Sequence, residues 1–550
     1  MLEIPASNGC VPGSGVMKHP AYPKASSIAS TSPPDPERVI SEWLSSFNAV
    51  AGANDASQLS SLFLEESYWR DLLCLTWDFH TMQGPEKICV QAFVHVETDV
   101  GSGRGMIKLL PDDNGWKAYT LFTVLQELKG HEETVGEKRT SGSDPSGHSK
   151  KNWQEKRIAE ENLEDGFDPA VLIVGSGQGG LTVGARLKQL GVDAVIIDRN
   201  PRIGDNWRNR YHQLVLHDSV WYDHMPYLNF PPNWPVFTPK DKLAEWFELY
   251  AKALELNVWT GTNLLASEWD GKERRWTVTI ERERDGKKET RASPIVPGKI
   301  HPRHVIQATG HSGEPYIPTE IKGLDDFKGD RLVHSSQFDG PQKNAKGKKA
   351  VIVGCCNSGH DIAHDFFEHG YDVTMIQRSS TLVVNGQTLI DVDMKGVYSE
   401  DGPPVEDADL LTMAVPNPVS KRMKIDSTAE INRRDASLLN GLQAAGFALD
   451  NGPDCAGLYM KYIHRGGGYY IDVGTSQLIA NGKIKIKQGQ EIERINAHSL
   501  TFKDGSELEA DEIVLATGYQ NMRETARKIF GDQLADGVKV RVAYQRVNVR

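Results

Sequence analysis

Apolar and polar residues change their rhythm several times along this chain, and the changes mark its parts. Residues 1 to 35 are rich in Ser, Pro and Gly and carry too little apolar surface to offset the entropy of ordering, so a disordered tail is expected there. The stretch Arg38–Phe47 is amphipathic at helical spacing, whereas Gln91–Glu97 and Trp116–Phe122 alternate like half-buried strands. His131 to Asp165 is charged, contains Gly and Ser, and is nearly devoid of apolar residues, the composition of a linker. Beyond it, Val171–Val174 is a short apolar run that leads through glycines into a helical stretch ending near Leu190, followed by a second apolar run, Ala194–Ile197. The same strand, turn, helix and strand recur at Ala350–Val353, a helical stretch to His369, and Asp372–Ile376. Leu264–Arg291 alternates like a β-meander, and Glu512–Leu515 reads as a late strand.

The two turns carry the chemistry. The first is Gly175-Ser176-Gly177-Gln178-Gly179-Gly180, a G-x-G-x-x-G placed between strand and helix, where glycines admit a pyrophosphate and the helix N-terminus offers it unpaired N–H groups. Asp198 closes the next strand, where an acid accepts hydrogen bonds from an adenosine ribose and repels a 2′-phosphate, so this site prefers FAD or NAD; Arg199 follows it. The second turn begins at Gly354, 179 residues later, and reads Gly354-Cys355-Cys356-Asn357-Ser358-Gly359, with Cys356 in place of the middle glycine. Arg378 stands where the first unit has its acid, with Ser379 and Ser380 beside it, and offers a charge-assisted fork to a 2′-phosphate, which points to NADP. A plain βαβ turn with two buried thiols is the alternative for the second motif, and a solvated surface group the alternative for Arg378.

With these turns on the page, the span Phe167 to about Met522 resembles the flavin-dependent monooxygenases of the FMO type, including their YUCCA-like and fungal branches. Gly204-Asp205-Asn206-Trp207-Arg208 is similar to the segment in which that family lines its flavin, and Ala308-Thr309-Gly310 and Ala516-Thr517-Gly518-Tyr519 resemble its two A-T-G elements. Phe327 to Phe338 is similar to the family fingerprint, with one residue more than the pattern between Gly329 and His334 and no Trp at its end, which argues against the ring-expanding Baeyer–Villiger branch. The resemblance implies an α/β fold with two Rossmann-type dinucleotide-binding domains, the NADP domain inserted in the FAD domain. It implies cofactor contacts from Gly175 to Gly180, Asp198, Arg199, Trp207, Arg208, Gly354, Asn357, Ser358, Gly359, Arg378, Thr517 and Gly518. It implies that NADPH reduces FAD and that a C4a-hydroperoxide transfers one atom of O2 to a small organic substrate. His217 takes the place of an asparagine that many members hold near the flavin; it is the catalytic candidate, as a hydrogen-bond donor at the flavin edge, with a histidine packed under the cofactor as the alternative. The N-terminal part resembles a small α+β module of the nuclear-transport-factor-like (SnoaL-like) family.

The expected organisation is a tail (1–35), the small module (36–133), a linker (134–166), a first FAD segment (167–338), an NADP domain (339–500) and a return to the FAD domain (501–550). Only 31 residues follow Tyr519, and their alternating end, Val538–Val542, does not resemble the family's usual continuation, so an impaired flavin domain that leaks peroxide is expected. A net charge of −12 with a pI of about 5.8 offers no basic stripe to nucleic acid. No run approaches about 18 consecutive apolar residues, so no membrane span is expected and the protein reads as cytoplasmic. A small-molecule substrate and O2 are the expected partners, with a homodimer as the form of any self-association. The six cysteines show no C-x-x-C and no metal-ligand spacing, so reduced thiols and no metal are expected. Two other functions stay open: a pyridine-nucleotide flavin reductase or oxidase, and a catalytically impaired binding protein.

Overall fold

The computed structural model describes residues 35–52, 56–72, 80–81, 90–112, 115–142, 151–163, 168–284, 287–289, 299–311 and 313–537. The N-terminal tail and the chain end Val538–Val542 lie outside the described residues.

The amphipathic stretch is helix α1 (Pro36–Gly52), and its apolar face, Val39 and Trp43 with Ile40, Leu44 and Phe47, is buried against a sheet. A short helix α2 (Ala56–Leu59) leads into β1 (Phe63–Leu72), β2 (His80–Thr81), β3 (Val90–Glu97), β4 (Gly101–Asp112) and β5 (Gly115–Leu128), ordered β2-β1-β5-β4-β3. Strand alternation sends Ile107 and Leu109 toward α1 and Met106 and Leu110 to the opposite face. An extra residue in β5, Tyr119 between the partners of Lys108 and Leu109, lets Tyr119 and Phe122 join that opposite face.

The segment expected as a linker holds a helix of its own, α3 (Trp153–Asn162). Asn152 and Glu155 form a capping box at its start, and Arg157, nearly buried, reaches Glu160, Glu161 and Asn257. Polar anchoring of this kind leaves no apolar period, which is why composition alone suggested a linker.

The first glycine-turn unit is β6 (Val171–Val174), α4 (Gln178–Gln189), β7 (Ala194–Ile197), α5 (Asp205–Arg208), α6 (Lys240–Ala253) and β8 (Val258–Trp259). A meander follows, β9 (Thr262–Asp270), β10 (Arg275–Arg284), β11 (Lys287–Glu289) and β12 (Lys299–Ile300), before β13 (His304–Gln307) completes the parallel sheet β13-β6-β7-β8. The second unit runs β14 (Arg331–His334), β15 (Lys349–Val353), α7 (Asn357–Glu368), β16 (Asp372–Gln377) and, after an excursion, β19 (Lys485–Gln488) and β23 (Glu512–Leu515), in the parallel order β14-β23-β15-β16-β19. The excursion contains β17 (Leu382–Asn385) paired with β18 (Tyr469–Asp472), helices α8 (Gly386–Leu389), α9 (Val405–Met413), α10 (Asn417–Arg434), α11 (Ala436–Ala444) and α12 (Gly457–Arg465), and then α13 (Thr475–Ala480). The small meander β20 (Ile492–Ile495), β21 (Ser499–Phe502) and β22 (Glu507–Glu509) precedes β23.

This topology moves two expected boundaries. Residues 331–338 and 501–519, expected on the flavin side, contribute β14 and β23 to the sheet of the second turn. The reason is long-range: fully buried Glu512 accepts from Arg331 Nε at 2.9 Å and from the Tyr371 hydroxyl at 2.6 Å, which ties β23 to β14 and to the approach of β16. Past Tyr519 the chain crosses back: α14 (Met522–Phe530) packs on β9, Phe530 meets Trp276 at 5.4 Å, and α15 (Asp532–Gly537) follows.

The far face of the N-terminal sheet is covered by α9 and α10. Met106 and Phe122 pack on Leu410 and Ala414, Leu110 and Tyr119 pack on Val419, and Arg104 pairs with Asp407 at 2.5 Å. The small module is thereby seated on the helical excursion of the second unit.

Candidate functional site

Both glycine turns are built the same way. Gly175 has φ +110° and Gly354 φ +121°, values reserved in practice for glycine. A β-carbon on Gly180 would lie 1.8 Å from the Gly175 carbonyl oxygen, and one on Gly359 would lie 2.2 Å from that of Gly354, so the helix start presses onto the strand end in each unit. The middle position differs. A β-carbon on Gly177 would meet only the Asn206 side chain, at 3.2 Å, and Gly179 faces open space, which leaves room for a ligand against the first turn. Cys356 sits at the second unit's middle position with φ −102° and ψ −171°, extended backbone that any residue adopts, so the loss of a glycine there costs the fold nothing.

Around the first turn the expected residues divide. Asp198, buried at the end of β7, accepts from Ser176 N at 2.7 Å, Ser176 Oγ at 2.8 Å and Asn200 N at 2.8 Å. It therefore closes the turn first, and of the roughly four lone-pair directions of a carboxylate about one remains for a ribose hydroxyl. Gln178 is exposed at the helix start. Arg199 is exposed and reaches Glu314 and the Gly313 carbonyl, beyond Ala308-Thr309-Gly310. Trp207 keeps a buried indole Nε1 with no hydrogen-bond partner among the described residues, a donor waiting for a ligand acceptor. Arg208 is engaged within the protein. Its guanidinium donates to Asp205, Glu248 and the Ile203 carbonyl and so braces α5 against α6.

At the second turn, Asn357 accepts Ile471 N at 3.1 Å with its side-chain oxygen, which pins β18 to the start of α7, and Ser358 lies beside Tyr211. Arg378 is exposed just past β16 and makes no side-chain hydrogen bond or ion pair among the described residues. Thr517 donates to the Tyr316 carbonyl at 2.6 Å, and the Gly518 carbonyl accepts from Tyr316 N at 2.9 Å and from His334 Nε2 at 2.9 Å. His334, despite the extra residue before it, thus locks the fingerprint loop to the second A-T-G element. The Cys355 and Cys356 thiols are both free, and burial pushes both upward, which disfavours the thiolate that disulfide exchange requires. Cys455 departs from the expectation of reduced thiols: it is disulfide-bonded.

The seam between the units is lined by residues that motifs did not reveal. Arg210, next to α5, donates to the Tyr519 hydroxyl and lies over that ring, 4.9 Å from its centroid. His217 is buried, with Nδ1 2.7 Å from the Ile471 carbonyl oxygen and Nε2 2.9 Å from Asp361 Oδ2, which also accepts the Tyr211 hydroxyl at 2.7 Å. Both ring nitrogens are spent on protein acceptors, so the expected donation from His217 to a flavin edge is not available in this arrangement. Asp361 follows the second turn by two residues, a spacing that in hindsight marks an acid on the inner face of α7. A cavity of about 250 Å³ lined by Asp168, Leu256 and Asn257 lies at the opposite, N-terminal ends of β6 and β7, away from both turns.

Among the described residues no group of side chains has metal-ligand geometry, and no helix is long and apolar enough to cross a membrane. Residues 169–393 match the model of the flavin-binding monooxygenase-like family. The matched relatives are monooxygenases and the matched family model is that of flavin-binding enzymes, so the protein reads as a flavin-dependent oxidoreductase. It is 28% identical over 379 residues to indole-3-pyruvate monooxygenase YUCCA1 of Oryza sativa subsp. japonica, covering 69% of this chain and 83% of that protein. It is 29% identical over 352 residues to probable indole-3-pyruvate monooxygenase YUCCA7 of Arabidopsis thaliana, covering 64% and 74%. Among solved structures it is similar to a flavin-containing monooxygenase from Stenotrophomonas maltophilia, with a TM-score of 0.43, 19% identity and coverage of 66% and 82%. It is also similar to cyclohexanone monooxygenase from Rhodococcus sp. Phi1 bound to NADP+, with a TM-score of 0.46, 17% identity and coverage of 66% and 73%.

Proposed function

We propose that the first turn holds FAD, the second holds NADPH, and the enzyme inserts one atom of O2 into a small organic substrate at the seam between them. The observation that carries this reading is the orphaned Trp207 indole N–H beside a turn in which Gly179 faces open space and Gly177 meets only the end of the Asn206 side chain. Bound FAD, reduced by NADPH, supplies the oxygen-activating chemistry. The chain's own residues do the rest. The amides opening α4 and α7 hold the two pyrophosphates, Asp198 keeps its remaining lone pair for the FAD ribose, and Arg378 takes the 2′-phosphate of NADPH. The buried seam formed by Tyr211, His217 and Tyr470 excludes water.

The high thiols of Cys355 and Cys356 speak against a disulfide reductase. The two curated relatives are named for indole-3-pyruvate, so aryl 2-oxo acids are the substrate class to try first, before amines and sulfides. The N-terminal unit we read as a nuclear-transport-factor-like module that has become a fixed wall of the enzyme, because the sheet face opposite α1 is covered by α9 and α10.

The deciding experiment mixes the purified protein with NADPH without oxygen and then readmits oxygen with an aryl 2-oxo acid. Bleaching of the flavin followed by an oxygenated product supports the reading. Fast reduction of a disulfide dye, or NADPH consumption recovered entirely as peroxide with every substrate class, overturns it.

A further inference from the structure

His217 and Asp361 share a buried contact whose proton content follows from its neighbours. The Ile471 carbonyl cannot donate, so His217 Nδ1 carries a hydrogen. On the other side, Asp361 Oδ2 already receives the Tyr211 hydroxyl and stands 2.9 Å from Nε2. A carboxylate accepting twice and an imidazolium donating twice satisfies every group; a neutral pair with the proton on Asp361 would satisfy them too, but the Tyr211 hydroxyl donating to the same Oδ2 stabilises the carboxylate and so favours the ionised pair. Neither side chain is more than 9% exposed, so water does not compete for these bonds.

We propose that Asp361 is a positioning residue that holds His217 as a doubly protonated imidazolium, making His217 a fixed positive charge at the seam and not an acid or a base. The other groups facing the pair agree. On its own loop, Asp218 follows His217 and Tyr211 stays a neutral donor, its ionisation opposed by burial. On α7, His360 is stacked on Tyr470 with centroids 3.7 Å apart and is kept neutral by burial, which pushes it down to about 4, so it does not take the proton. On β18, Tyr470 meets the His217 ring edge-on at 5.9 Å, its ionisation also opposed by burial, and Asp472 adds a further acid beside His360. For His217 itself burial disfavours the charged ring, but the Asp361 carboxylate and its hydrogen bond outweigh it and hold the ring above the usual histidine range.

The consequence for the reaction rests on the assignment of the two turns as cofactor sites. His217 belongs to the loop that leaves α5, beside the first turn, and Asp361 to the helix that opens at the second, so the charge sits where the two units meet. A preorganised cation there favours negative charge on a neighbouring group without any proton leaving the protein.

The test uses the FAD-loaded full chain with 15N-labelled histidine, the His217 signals being those lost in His217→Gln. We expect His217 to be an imidazolium at pH 7 in the parent and neutral at pH 7 in Asp361→Asn, where burial acts unopposed and holds the ring below its usual value of about 6.5. Tyr211→Phe, which removes one donor and leaves the pair, should keep the ring charged. In parallel, the rate of flavin reduction by NADPH should be flat between about pH 5 and 8 in the parent, should gain an inflection below about pH 6.5 in Asp361→Asn, and should lose it again in the Asp361→Asn/His217→Gln double variant. A neutral His217 in the parent at pH 7, or an Asp361→Asn profile parallel to that of the parent, overturns the proposal. The spectroscopic measurement on the parent decides it even if Asp361→Asn fails to fold. A parent that oxidises no NADPH overturns the cofactor assignment instead, and leaves the protonation result standing.

Discussion

Gly354 lies directly under Ala516: a β-carbon on Gly354 would come within 2.4 Å of the Ala516 carbonyl oxygen. Gly175 stands in the same relation to Ala308, also at 2.4 Å. Each A-T-G element therefore seats the first glycine of the turn beside it, which explains why two tripeptides so far from the turns accompany them. The two kinds of glycine in these turns can be separated. Gly354→Ala and Gly175→Ala should each destabilise the fold by about 1–3 kcal/mol, through strain at positive φ and the carbonyl clash, and should lower the melting temperature. Gly177→Val should fold, because only the end of the Asn206 side chain must move, yet purify without yellow colour, because the added methyls occupy the space left for a pyrophosphate. Stoichiometric flavin in Gly177→Val would overturn the first-turn assignment.

Arg378 sets cofactor choice if it meets the 2′-phosphate. Arg378→Ala should weaken use of NADPH by about 1.5–3 kcal/mol, roughly tenfold to 150-fold in kcat/KM, and leave NADH nearly unchanged. Steady-state kinetics with both cofactors measure it, and equal losses would reduce Arg378 to a surface group.

Asp223 gives the protein an ionisation cost near neutrality. Its Oδ2 is buried without a hydrogen-bond partner among the described residues, and burial together with the charge of Asp218 pushes its carboxyl up to about 7. Because the folded value lies above the unfolded one of about 3.9, the cost is absent below pH 4, grows as the pH rises, and is complete above 7. Asp223→Asn should accordingly raise stability at pH 8 by about 1–3 kcal/mol and change it little at pH 4. Melting curves at the two pH values decide, and an equal difference at both would mean that the carboxylate is not penalised.

The docking of the N-terminal module should be severed by one charge. Leu410 packs on Met106 and Phe122 in a closed interface, so Leu410→Asp buries an unpaired carboxylate there, at a cost of about 3 kcal/mol or more. Limited proteolysis should then cut within residues 131–152 faster than in the parent, while flavin content stays the same. Unchanged cleavage would show that other contacts hold the module.

Both glycine turns were legible in the sequence because their requirements are local. A strand, a residue at positive φ and a helix start occupy about ten consecutive residues, and only glycine fits Gly175, Gly180, Gly354 and Gly359. The helix α1 and the strands around Gln91 and Trp116 were legible for a similar reason, since a period of 3.6 or 2 is written in neighbouring positions. The tertiary structure decided what depends on partners far along the chain. Glu512 reaches Arg331 across 181 positions and carries β14 and β23 into the second sheet, against the expected boundaries. Asp361 meets His217 across 144 positions and turns an expected hydrogen-bond donor into a ring with no hydrogen left to give. Arg208 is tied to Glu248 across α5 and α6, and α3 forms within an expected linker because Asn257 receives Arg157. Backbone conformation is a property of adjacent residues, whereas the charge and availability of a buried side chain belong to whatever the fold brings against it.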